Sequence, residues 1–186
     1  TMQNAKRHWT VEEYLAHEEA TGIKHEYIDG EIYAMSGGTD RHSILIVNLT
    51  GILWSQLRGS GCRPHSNDMR VKINEHRYLY PDFSVVCGDA NFSDDAHTML
   101  TNPTLVAEVM SPSSKNYDKG LKSDFYFSLG SLQAYLLIDQ EETYAQLYTR
   151  HEEGWLLREY RGLEATIPLE AIGCTLPLSD VYEGAA

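Results

Sequence analysis

Asp82, Glu108 and Lys122 are the residues whose types and surroundings most suggest chemistry. Glu108 lies inside the apolar run "LVAEVM", where an isolated charged carboxylate is costly unless it is paired, bound to a metal ion or protonated. Asp82 opens a similar run, "YPDFSVV", after a proline that cannot donate a strand hydrogen bond, so it lies at a strand entrance. Lys122 lies three and four residues before Phe125 and Tyr126, and so borders the apolar face of a predicted helix.

If the two strands are neighbours, their carboxylates converge, and one of them would take up a proton unless a cation lies between them. Mg²⁺ prefers oxygen ligands and is often held by one or two carboxylates together with waters and phosphate oxygens. Such an ion lowers the pKa of a bound water and stabilises charge on a phosphoryl group. A nearby lysine could activate the water or stabilise the transition state. The three residues therefore indicate a divalent-cation site suited to phosphoryl chemistry.

Each of these residues also has an ordinary structural interpretation. Glu108 could be a core glutamate paired with an arginine or lysine. Asp82 could be a turn residue, and Lys122 could lay its stem along the surface with its ammonium in water. In that case the carboxylates only stabilise the fold.

The composition predicts a soluble protein with one α/β domain over residues 1–186. Of the 186 residues, 42% are hydrophobic and 23% are charged, which is typical of globular proteins. No apolar run approaches the roughly 18 residues of a membrane span, and the start has no apolar core like that of a signal peptide. The net charge of −12 repels phosphate backbones, so a nucleic-acid binder would need a local basic patch or metal ions.

Cysteine usage indicates a reducing compartment. Cys62, Cys87 and Cys174 are far apart in the sequence, odd in number and free of any CxxC motif. Reduced thiols in the cytoplasm are therefore expected, and a zinc site is not expected.

The first elements come from local signals. Thr10, with Glu13 three residues later, predicts a capping box and a helix over residues 10–20. Asp29-Gly30 predicts the two-residue turn of a β-hairpin. A second helix, over residues 40–59, follows, and His42 begins the face that looks inward.

The rest of the chain predicts a mixed sheet with helices against it, without a regular βαβ repeat. One helix is predicted over "SSKNYDKGLKSDFYFSLG". The strands are predicted over "CRPHSNDMRVKI", "YLYPDFSVVCGD", "TLVAEVM" and "QAYLLID", with an antiparallel pair over "TYAQLYTR" and "WLLREYR". The tail is irregular or a short strand.

Several segments in a fixed order resemble the Uma-two family of restriction-endonuclease-like proteins, in the PD-(D/E)XK nuclease superfamily. They are "HEYIDGEIYAMSGG", His42 at the start of the next helix, "YPDFSVV", "LVAEVMSPSS" and "DKGLKSDFY" followed by "LGSLQAYLLID". The resemblance implies a restriction endonuclease-like core, a mixed β-sheet flanked by helices, with an N-terminal helix and β-hairpin. It also implies hydrolysis of phosphodiester bonds in DNA with Mg²⁺, or possible use of Mn²⁺, as the cofactor.

The resemblance assigns roles within the site. Asp82 and Glu108 would be metal ligands, the main-chain carbonyl of Val109 would complete the set, and Lys122 would assist the attacking water. The usual motif places its lysine two residues after the glutamate, where this chain has Met110. The family resembled supplies the lysine from the following helix, which matches Lys122.

Two further residues are candidates for the same site. Glu26 matches a glutamate in the family's hairpin, or it is an exposed strand residue. His42 contacts a phosphate or a metal-bound water, or it is a buried structural histidine. The alternative function is a restriction-like fold that binds DNA or a partner protein without cutting. A homodimer is also expected, because cutting both strands of a duplex needs two active sites.

Overall fold

The fold, described for residues 6–185 in a computed structural model, consists of helices of different lengths and thirteen strands. In chain order the elements are α1 (Val11–Thr21), β1 (His25–Ile28), β2 (Glu31–Ala34), α2 (Asp40–Leu57), β3 (Cys62–His65), β4 (Arg70–Asn74), β5 (Arg77–Leu79), β6 (Phe83–Cys87), β7 (Met99–Leu100), β8 (Leu105–Met110), α3 (Lys115–Lys119), α4 (Leu121–Phe127), β9 (Ala134–Asp139), β10 (Tyr144–His151), β11 (Gly154–Arg161), β12 (Thr166–Leu169), a 3₁₀ helix (Glu170–Ile172), β13 (Cys174–Pro177) and α5 (Leu178–Val181).

A six-stranded mixed sheet is the centre of the structure, in the order β11-β10-β9-β8-β6-β3. β8 and β9 run parallel and are joined through α3 and α4, whereas the other neighbours run antiparallel. All six residues of β8 are buried, because both faces of the sheet are covered.

The two faces of this sheet carry different residues, as the period of two requires. Leu105, Ala107 and Val109 pack with the buried leucines of α2, whereas Val106 and Met110 pack with α4 and with residues of a second sheet. Glu108 therefore faces α4 and the second sheet.

The second sheet has five strands in the order β2-β1-β5-β4-β7, and β12 and β13 form a separate pair. The predicted capping box is present, since Thr10 accepts the Glu13 N–H and the Glu13 carboxylate accepts the Thr10 N–H. The predicted hairpin turn is also present, with positive φ at Asp29 and Gly30. Within residues 6–185, no helix combines the length and the apolar character needed to cross a bilayer.

The two long strands predicted over residues 62–73 and 78–89 are wrong, because each is divided between the two sheets. Residues 62–73 give β3 and β4, and residues 78–89 give β5 and β6. The first break is a turn in which the Met69 N–H donates to the Ser66 carbonyl. The second break is at Pro81, which has no N–H for a ladder. The chain consequently enters β6 with Asp82 just outside the strand.

The single helix predicted over residues 113–130 is also wrong. It is two short helices, α3 and α4, which meet at Gly120 with φ −104° and ψ −99°. A Cβ at this position would lie 3.1 Å from the main-chain oxygen of Asn116, so only glycine fits without a shift. The break places Lys122 in the first turn of α4, directly over the sheet.

The expectation of three reduced cysteines is wrong for two of them. β3 and β6 are antiparallel neighbours, and their register places Cys62 opposite Cys87, where the two side chains form a disulfide. Cys174 is free and buried. The disulfide links the end of β6 that is farthest from Asp82 to its neighbouring strand.

Reduction of this disulfide is expected to lower the free energy of unfolding by about 3 kcal/mol, because it removes a cross-link closing a loop of 25 residues in the unfolded chain. Urea unfolding with and without dithiothreitol measures the difference, and the Cys62→Ser/Cys87→Ser variant should not respond to the reductant. Thiol titration of the unfolded, unreduced protein should find one thiol. Three thiols would contradict the disulfide.

Candidate active site

The carboxylates of Asp82 and Glu108 lie next to each other at the junction of β6 and β8. These strands pair with Phe83 opposite Ala107, and continuing that register by one residue places Asp82 beside Glu108. The Asp82 N–H donates to Glu108 Oε2 at 3.3 Å, and the Val109 N–H donates to Asp82 Oδ2 at 2.9 Å. The strand entrance predicted for Asp82 and the burial predicted for Glu108, which is 3% exposed, are both present.

Lys122 extends from α4 into this pair of carboxylates. Its Nζ lies 3.0 Å from Glu108 Oε1 and 3.9 Å from Glu26 Oε2. The residue is 6% exposed, so it is not a surface lysine with its ammonium in water. The structure thus brings an amine from the following helix to the carboxylates, as the sequence predicted.

Glu26 reaches the same place from the first hairpin. β1 pairs with β5, and Glu26 Oε2 accepts the main-chain N–H of Tyr80 at 2.8 Å, just past the end of β5. Glu26 is buried, so the alternative of an exposed strand carboxylate is wrong. The Glu26 carboxylate thus satisfies the Tyr80 N–H at the point where β5 and its main-chain hydrogen bonds have ended.

His42 approaches from the opposite side, at the start of α2. Its Nε2 lies 3.6 Å from Asp82 Oδ2. The Asp82 carboxylate is the largest influence on the imidazole and, together with the main chain of Val109, it raises the pKa of His42 above its ordinary value against the opposing effect of burial. Because that pKa is raised, His42 carries a positive charge to higher pH than a free histidine does.

Asp118 and Tyr126 belong to the site and were missed in the sequence. Asp118 is 3% exposed, its Oδ1 lies 3.8 Å from Lys122 Nζ, and its Oδ2 accepts a hydrogen bond of 2.8 Å from Ser114. The Tyr126 hydroxyl donates to Glu108 Oε1 at 3.3 Å. Their spacing of four residues on either side of Lys122 was the available signal, because residues four apart share a helix face.

The site holds more negative than positive groups. Burial raises the pKa of Glu108 well above its usual value, and Asp82 and Asp118 add to the effect against the pull of Lys122. Burial acts the same way on Asp82, but the neighbouring His42 imidazole and the hydrogen bond from the Val109 N–H outweigh it and lower the pKa of Asp82. Two neighbouring carboxyl groups with opposite shifts are typical of functional sites. Such a site takes up either a proton or a cation.

The donors present suit a hard cation. Within residues 6–185, no three His, Cys, Asp or Glu side chains are grouped closely enough to hold a metal ion by themselves. The oxygen atoms of Asp82, Glu108 and the Val109 carbonyl are nevertheless the ligands that Mg²⁺ prefers, and Mg²⁺ usually keeps several of its waters. A partly hydrated Mg²⁺ therefore fits this donor set better than Zn²⁺, which prefers a closed set of nitrogen and sulfur ligands.

Comparison with known proteins finds similar sequences. Residues 11–179 match the sequence profile of the Uma2 family, described as "Putative restriction endonuclease". Two Synechocystis proteins are similar over most of their length. "Uncharacterized protein slr1290" is 37% identical over 94% of this chain and 92% of its own, and "Uncharacterized protein sll1609" is 38% identical over 85% of this chain and 90% of its own.

A solved structure has the same fold. The crystal structure of a "putative nuclease belonging to DUF820" from Anabaena variabilis matches with a TM-score of 0.79, over 95% of this chain and 99% of that one. Its sequence identity is 19%, so the likeness is one of fold. The predicted α/β class, with a restriction endonuclease-like mixed sheet flanked by helices, is confirmed.

Proposed function

The chain belongs to the Uma2 family, and from that premise we propose that it is a metal-dependent endonuclease that hydrolyses phosphodiester bonds in DNA. The observation that carries the proposal is that the buried Glu108 carboxylate contacts both Asp82, at the entrance to β6, and Lys122, from α4. The family's description and the nuclease fold of the Anabaena protein support the same reaction class.

The chain's own groups have distinct roles in this proposal. Asp82, Glu108 and the Val109 carbonyl hold Mg²⁺ or Mn²⁺, which supplies Lewis-acid stabilisation of the phosphate and a more acidic water. Lys122 orients the attacking water and balances negative charge beside Glu108. His42, whose pKa is raised, keeps a proton on its ring, and the ring N–H would donate a hydrogen bond to a phosphate oxygen.

A bound cation also answers the charge problem of the whole chain. With a net charge of −12, the protein repels a phosphate backbone unless positive charge is supplied locally. The site has two basic groups and four acidic ones, so the chain alone does not supply this positive charge. The basic residues are Lys122 and His42, and the acidic ones are Glu26, Asp82, Glu108 and Asp118. We therefore expect DNA binding at the site to depend on the divalent ion.

The experiment that tests the function compares cleavage with Mg²⁺, Mn²⁺, Ca²⁺ and EDTA on duplex, branched and single-stranded DNA and on RNA. Cleavage of DNA is expected with Mg²⁺ or Mn²⁺ only, and calorimetry should show uptake of Mn²⁺ by the protein alone. Absence of both cleavage and metal uptake at millimolar concentration would contradict the proposal.

A second function, binding of DNA or a protein without cutting, is favoured by one observation. Lys122 already lies 3.0 Å from Glu108, so the buried charge is compensated within the chain itself. This function predicts binding of DNA or of a protein that does not depend on Mg²⁺ and that yields no cleavage products.

A homodimer is part of the nuclease proposal, because two active sites are needed to cut the two strands of a duplex. Light scattering during gel filtration measures the mass of the protein in solution and so tests whether it is a dimer.

A further inference from the structure

Within residues 6–185, the buried tyrosine hydroxyls have hydrogen-bond partners with one exception. Partnered hydroxyls and their acceptors are Tyr14 with the His25 carbonyl, Tyr80 with Glu18, Tyr126 with Glu108, Tyr135 with the Asp118 carbonyl and Tyr182 with the Asp139 carbonyl. The Tyr117 hydroxyl is buried and has no partner among residues 6–185. A buried hydroxyl without a partner destabilises a fold, so its presence calls for an explanation.

Tyr117 projects from α3 into the site described above. Lys122 Nζ lies 5.7 Å from the centroid of its ring. Burial raises the pKa of the Tyr117 phenol, and the charges of Glu26, Glu108 and Asp118 raise it further against the pull of Lys122. The hydroxyl is therefore protonated, and it makes no hydrogen bond to any of these carboxylates.

We propose that the Tyr117 hydroxyl bonds to a hydration water of the divalent cation, and so positions water in the site. This inference rests on the proposed metal-dependent function. The hydroxyl oxygen is closed to bulk solvent, so a molecule as small as water suits it as a partner.

The coordination requirement points to the same partner. The described chain offers few direct ligands, so the ion keeps several waters, and those waters need hydrogen-bond partners of their own. A hydroxyl can accept a hydrogen bond from such a water and donate one to a carboxylate oxygen at the same time. Tyr117 is thus a positioning residue that acts through water.

The test uses the Tyr117→Phe variant of the full chain, which keeps the ring and removes the hydroxyl. In EDTA its melting temperature should equal or exceed that of the parent, because no bond is lost. Its dissociation constant for Mn²⁺, measured by calorimetry without DNA, should rise about tenfold, as for loss of other groups that support a metal site. In the cleavage assay kcat should fall while KM for DNA stays close to the parent value.

Two matched variants separate this from a structural role. Tyr126→Phe loses its bond to Glu108 and should melt at a lower temperature in EDTA. Tyr148→Phe, which packs against Phe127 and Tyr135 outside the site, should leave Mn²⁺ affinity unchanged.

The possible failures can be told apart. If the parent binds Mn²⁺ and Tyr117→Phe binds it equally tightly, the inference is wrong and the proposed function stands. It is also wrong if Tyr117→Phe melts at a lower temperature in EDTA, as Tyr126→Phe should. If the parent binds no Mn²⁺, the proposed function fails, and the inference fails with it.

Discussion

The Asp82→Asn variant is expected to cut DNA about 10³-fold more slowly than the parent in Mg²⁺, because loss of this proposed metal ligand would remove several kcal/mol of transition-state stabilisation. The substitution keeps the size of the side chain and an oxygen that can still accept the Val109 N–H, which now bonds Asp82 Oδ2 at 2.9 Å. The melting temperature should therefore change little. Initial cleavage rates and thermal unfolding, measured on the same preparation, check both parts.

Asp95→Asn is the matched control for Asp82→Asn. Asp95 is exposed, and it lies in the loop between β6 and β7. The Asp95→Asn substitution removes the same single negative charge at a position outside the site, so this variant should cut DNA at the rate of the parent. If Asp82→Asn cuts as fast as Asp95→Asn, Asp82 is not a ligand and the assignment of the site is wrong.

The Lys122→Met variant is expected to lose about 3–5 kcal/mol of unfolding free energy at neutral pH in EDTA, because it leaves buried carboxylates without their counter-charge. Glu108 now has the ammonium at 3.0 Å, and Asp118 and Glu26 have it at 3.8 and 3.9 Å. Methionine fills a similar volume, so the loss is one of charge rather than of packing. Urea unfolding followed by circular dichroism measures it.

The pH dependence of that loss has a definite sign. Burial raises the pKa of Glu108 in the folded protein, so the folded state keeps the Glu108 proton to higher pH than the unfolded chain does. The stability that this protonation contributes is fully present at pH values below the ordinary pKa of a glutamate. This contribution disappears as pH rises through the folded-state pKa, and without Lys122 nothing then compensates the charge. The difference in unfolding free energy between Lys122→Met and the parent should therefore become smaller as the pH is lowered from about 8 to about 5.

Lys119→Met is the control for Lys122→Met. Lys119 ends α3, and its Nζ lies 5.5 Å from the Tyr144 ring centroid, away from the carboxylates. Lys119 is partly buried and makes no ion pair with a carboxylate among residues 6–185, so the unfolding free energy of Lys119→Met should differ from that of the parent by less than about 1 kcal/mol at either pH. Equal stability of both lysine variants would show that Lys122 does not balance buried charge.

Much of the site could be predicted because some of its residues are unusual for their local sequence. Glu108 stands out because a carboxylate in an apolar strand is costly, and Asp82 stands out because a proline precedes it. Asp118 was missed because its surroundings in the sequence are polar. Only the packing of α3 against the sheet shows that it is buried.

The remaining errors arose where distant parts of the chain decide the outcome. Pro81 indicates a break in the predicted strand. The local sequence does not show that β5, before the break, and β6, after it, belong to different sheets. Cys62 and Cys87 are 25 residues apart, and only the register of β3 with β6 places them opposite each other. Gly120 likewise divides a helix whose apolar spacing looks continuous.

The position of Lys122 after all four carboxylates in the chain has a consequence for synthesis. A ribosome releases Glu26, Asp82, Glu108 and Asp118 first, and the ammonium that lies among three of them follows last. β8 pairs with the earlier strand β6 on one side, but its second neighbour, the parallel strand β9, is complete only after residues 134–139. A nascent chain stalled before residue 122 would therefore hold unbalanced acids on an unfinished sheet, and this stretch is where co-translational folding should pause.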